Sequence, residues 1–122
     1  MNSLSLLIPV LQKIKSAYVL WYRYYQTIPK AHRYTLGSRI DGLFVEIIET
    51  IACASFLARS EKQPYVRLAI RKLDTVKVLL MVLWETKSLE DKKYIALSVK
   101  SSPHQKFDMG MNLTSEKLSE AC

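Results

Sequence analysis

The residues in this chain with chemical potential are mostly basic and aromatic. Between residues 1 and 40 lie Lys13, Lys15, Arg23, Lys30, Arg33 and Arg39, with no acidic group among them. The same stretch carries Tyr22, Tyr24 and Tyr34. Cations interleaved with aromatic rings can neutralise phosphates and stack bases, which is the chemistry of nucleic-acid binding. Arg67 and Arg71, four apart, place two more cations on one helical side. The plainer alternative is a solvated exterior with helix-pair partners, such as Arg71 with Asp74. By the same reasoning the tyrosines serve as core and rim residues.

Residue types that make catalysts are sparse. The two histidines are His32 and His104, and the two cysteines are Cys53 and Cys122. No HExxH, CxxC, P-loop or GxSxG is present. Glu46 and Glu49 lack the Glu-x-x-His pairs that a di-metal bundle needs. His32, beside Arg33, reads as a surface or cap residue, and Cys53 as a small core residue. The expectation is a protein that is not an enzyme and needs no metal or cofactor.

The elements that would position these groups are helices. The chain has 122 residues, a net charge of +7, three glycines and four prolines. Few glycines and prolines argue against a turn-rich β fold. Leu7, Leu11, Ile14, Tyr18, Trp21, Tyr25 and Ile28 follow alternating four- and three-residue steps, a single helical stripe. Pro9 is expected in the first turn and Pro29 past the end. A second helix, about 30–59, has Leu36, Ile40, Leu43, Ile47, Ile51 and Ala54 inside, widened by Phe44 and Ile48. Gly37 and Gly42 within it call for close packing or a non-helical start. A third, about 64–87 with Pro64 as its first residue, carries Val66, Ala69, Leu73, Val76, Leu80 and Leu83. A fourth, about 89–100, opens on a capping box at Ser88–Asp91. Short connections make such neighbours antiparallel, so the predicted fold is an all-α, antiparallel up-down four-helix bundle over residues 1–100. Residues 101–122 lose the period and read as a divergent, flexible tail.

Val78, Met81 and Val82 point away from the third seam, which predicts an oligomer interface there. No apolar run approaches the ~18 residues that span a bilayer, and the N-terminus lacks a signal-peptide pattern. A reduced, cytoplasmic protein without a membrane role is expected.

One segment is more specific. IPKAHRYTLGSRI, residues 28–40, resembles the signature of small bacterial four-helix-bundle proteins. That family includes the accessory variability protein of diversity-generating retroelements and is related to proteins encoded by intervening sequences in 23S ribosomal RNA genes. The aromatic-rich first helix and KKYIALS, residues 92–98, are similar too. After Lys100 the chain departs from the family's Gly-rich, Trp-containing end, and no Trp follows Trp84.

The resemblance implies a pentamer of bundles with a basic surface. It implies partners as well, a reverse transcriptase and nucleic acid (RNA or an RNA–DNA hybrid), in support of mutagenic cDNA synthesis. The phosphate-binding candidates are Arg23, Lys30, Arg33, Arg39, Arg67 and Arg71. Arg33 and Arg39 could equally lock the turn. The other reading is an oligomeric protein-interaction module whose charge is incidental. A basic amphipathic surface on anionic membranes ranks below both.

Overall fold

The computed structural model describes residues 2–101, with side chains described from Leu7 onward. The expectation for the tail beyond Ser101 lies outside the described residues. Helix α1 spans Asn2–Tyr25. A single turn, α2 (Lys30–His32), runs into a π-helical stretch, Arg33–Gly37, and then into α3 (Ser38–Ala54). Helices α4 (Arg59–Glu85) and α5 (Asp91–Ser101) complete the described chain. The four long helices make an all-α protein, and no strand occurs among the described residues. The principal neighbours of α3 are α4 and α1, and those of α5 are α1 and α4.

The seams account for the core. Leu7, Ile14, Trp21 and Ile28 of the first stripe are buried, and Leu11, Tyr18 and Tyr25 flank them half-buried. Ile40, Leu43, Phe44, Ile47 and Ile51 face them from α3, and Val76, Leu80 and Leu83 from α4. Trp21 lies 6.4 Å from Phe44 in a stacked arrangement, and Tyr18 meets the same ring edge-on at 5.9 Å. Losing an aromatic anchor of this kind costs about 3–5 kcal/mol. From α5, Leu97 is buried and Tyr94 half-buried, whereas Ile95 points to solvent.

Several boundaries differ from those read off the sequence. Helix α1 begins well before residue 7, so Pro9 sits in its interior rather than in its first turn. Helix α4 begins at Arg59, so Pro64 is inside it rather than its first residue. The early start has a packing reason. Lys62, Val66, Ala69, Leu73, Val76, Leu80 and Leu83 continue one four-three repeat, and Lys62 is buried at the end of that seam. A lysine with a long methylene stem can occupy an apolar seam position. Helix α5 opens at Asp91 with the Glu90 carbonyl accepting from the Tyr94 N–H, so Ser88 lies two residues before the expected cap position, and its hydroxyl faces His32. Cys53 is exposed, not core, since it lies one residue off the α3 seam that ends at Ala54.

Candidate nucleic-acid interface

The turn after α1 is built by close contacts. Gly37 is buried, and a Cβ there would meet Tyr25 Cε1 at 3.0 Å and the His32 carbonyl oxygen at 3.3 Å. Tyr25 OH donates to the Arg33 carbonyl at 3.3 Å. Arg33 Nε donates to the Ile28 carbonyl at 3.1 Å, tying the second helical segment back onto the connection that follows α1. The turn-locking role is therefore the one the geometry gives Arg33. The π-helical stretch is the backbone's accommodation of these contacts, since it lets Gly37 approach Tyr25 while Arg33 reaches back to Ile28.

The first connection is tied to the last. His32 Nδ1 lies 2.6 Å from Ser88 Oγ. Lys93, in the first turn of α5, donates to Thr27 Oγ1 at 3.0 Å and sits 5.4 Å from the centre of the Tyr24 ring. Thr27 Oγ1 in turn donates to the Tyr24 carbonyl at 2.7 Å. Lys93 is also 3.9 Å from Glu90. One end of the molecule thus gathers Tyr24, Lys30, His32, Arg33 and Lys93 from two stretches far apart in the chain. A histidine next to a serine can suggest a nucleophile and base, but such sets need a third group to orient the base. The His32–Ser88 contact acts as a tie between connections.

The six candidate cations do not converge. Arg23 and Lys30 are exposed at and just past the end of α1, near Arg33. Arg39 is exposed on α3, with its guanidinium 4.0 Å from Glu46. Glu46 accepts a 2.6 Å bond from Lys72 of α4. That bond is the main reason the Glu46 carboxyl titrates below its usual range. Arg67 and Arg71 are exposed on α4, and Arg71 makes no ion pair with Asp74. By element, Arg23, Lys30 and Arg33 belong to the turn and the end of α1, and Arg39, Arg67 and Arg71 to α3 and α4. Lys93 belongs with the first group and was not among the candidates. Its signal was its place beside the Leu97 seam position, four residues away, which turns it toward α1.

Another acid is consumed internally. Asp41 accepts a 3.2 Å bond from Trp21 Nε1 and is also bonded by the Tyr18 hydroxyl. Burial, then that bond and the Asp41 charge, push the Tyr18 phenol up to about 12. On the outer side of α4, Val78 and Met81 are exposed and Val82 is half-buried.

Among the described residues no group of three or more His, Cys, Asp or Glu could hold a metal ion, and no helix is long and apolar enough to cross a membrane. No protein-family model matches this chain, and neither a curated protein nor a solved structure matches it.

Proposed function

We propose that this protein is a non-enzymatic, nucleic-acid-binding accessory scaffold for a retroelement reverse transcriptase. It holds RNA or an RNA–DNA hybrid by phosphate contacts and does not read bases. The observation that carries the nucleic-acid part is the imbalance of charge and its pairing. Residues 2–101 hold sixteen Lys and Arg against eight Asp and Glu. Of the acids, Asp41 is engaged with Trp21, and Glu46 is shared between Lys72 and Arg39. Arg23, Lys30, Arg67 and Arg71 form no ion pair among the described residues. A surface with such an excess attracts polyanions. The reverse-transcriptase role rests on the resemblance of residues 28–40.

The scaffold is an antiparallel up-down bundle in this reading. Supporting it, Thr27 meets Lys93 while Ser16 meets Lys100, so α1 and α5 run in opposite directions along their contact. Copies associate, as a pentamer by the same resemblance, through Val78, Met81 and Val82. The exposure of Val78 and Met81 supports that interface. It is equally the basis for the second reading, an oligomeric interaction module without a nucleic-acid role.

The test is RNA binding as a function of salt. The expected outcome is binding at low salt that falls linearly in log–log form, with a slope made shallower by Arg67→Ala with Arg71→Ala. Absence of binding at low salt rejects the nucleic-acid reading in favour of the interaction module. An unchanged slope removes Arg67 and Arg71 from the phosphate surface.

A further inference from the structure

Tyr34 is held on the π-helical stretch and the residue is 64% exposed. Its backbone is fixed on either side. Arg33 is bonded through both its carbonyl and its Nε, and Gly37 is packed on Tyr25. The Arg33 guanidinium lies 6.0 Å from the centre of the Tyr34 ring. From that guanidinium a continuous path of contacts runs through Ile28 and Thr27 to Lys93 and then to the Tyr24 ring. Exposed Lys30 stands on the same connection. An aromatic face open to water, carried on a rigid backbone and flanked by cations, is the arrangement that holds unpaired bases. A duplex keeps its bases stacked on one another and offers such a ring no face.

We infer that this end of the molecule binds single-stranded nucleic acid, with one base stacked on Tyr34 and a flanking phosphate held by exposed Lys30. This rests on the nucleic-acid reading above and narrows it from any polyanion to an unpaired strand. Every base has a π face, so the site accepts RNA and DNA strands alike. A duplex engages only through the dispersed phosphate contacts.

The experiment uses the full chain and three 5′-fluorescein probes, namely a 12-mer oligo-U, a 12-mer oligo-dT and a 12-base-pair RNA duplex, followed by fluorescence anisotropy at low salt. Tyr34→Ala should raise Kd for both single strands about tenfold and leave the duplex within about twofold, on the usual scale of base–aromatic stacking. Tyr34→Phe, which keeps the ring, should stay within about twofold of the parent on all three. The ring is at the surface, so both variants should retain the parent's helical circular dichroism. If Tyr34→Ala weakens duplex and single strands equally, or weakens neither, the stacking site is wrong while the general nucleic-acid reading stands. If the parent chain binds none of the three probes, that reading fails and this inference fails with it.

Discussion

Asp41 shows how a single acid can be taken out of the surface charge balance. It accepts from the indole of fully buried Trp21 and from the phenol of Tyr18. Asp41→Ala would leave the Trp21 N–H without its partner, a loss of about 1–3 kcal/mol. Asp41→Asn keeps a carbonyl acceptor and should cost less, as urea unfolding would measure. The same contact sets an alkaline limit. The Tyr18 phenol is raised in the folded state to about 12 from its ordinary 10.0. The folded state thus holds that proton more tightly than the unfolded chain. Its contribution is complete below pH 10 and is lost as pH rises through 10 to 12. Tyr18→Phe should flatten that part of a melting-temperature profile, and a parent profile already flat there would contradict the assignment. Glu46 acts in the opposite sense, since Lys72 holds its carboxyl low, so its contribution disappears as the solution becomes acidic.

At the scale of elements, the two glycines of the second helical segment separate two explanations that sequence alone leaves together. Gly37 is a close approach, whereas a Cβ on Gly42 would meet nothing within 4 Å. Gly37→Ala should therefore destabilise by forcing Tyr25 and the His32 carbonyl apart. Gly42→Ala should stabilise by up to about 1 kcal/mol through helix propensity. Equal effects of the two substitutions in thermal melts would contradict this account. The four-three repeats made the helices and most of the core legible, because burial of Trp21, Phe44 and Leu80 depends on spacing within one element. Contacts between elements were not legible. Ser88 reads as a helix cap in isolation, and its use by His32 depends on a connection fifty-six residues away. Cys53 falls one residue off the seam that ends at Ala54, and buried Lys62 extends the α4 seam ahead of Pro64, a proline that obscured where that helix starts. Lys93 escaped notice for the same reason, since its partners Thr27 and Tyr24 lie at the far end of the sequence.

For the molecule as a whole, the placing of the cations on different elements bears on assembly. Arg23, Lys30 and Arg33 belong to the turn and Arg39, Arg67 and Arg71 to α3 and α4, and an assembly of copies would repeat both groups on one particle. Light scattering across a size-exclusion peak should give the mass of an oligomer for the parent chain. Val78→Glu with Met81→Glu should give a monomer, because two carboxylates would then face each other across an apolar contact. A parent monomer would reject the interface proposed at Val78, Met81 and Val82.

The tie between His32 and Ser88, together with Lys93 on Thr27, gives the turn end a particular place in the folding sequence. These contacts close very long loops, and loop closure over such separations comes late and slowly compared with helix formation. A chain emerging from the ribosome can form α1, α2 and the π-helical stretch while Lys93 is still unmade. Lys93 reaches this end only when α5 docks, so its charge arrives there last. On the proposed nucleic-acid reading, a nascent chain lacks part of the charge at this end until α5 has docked.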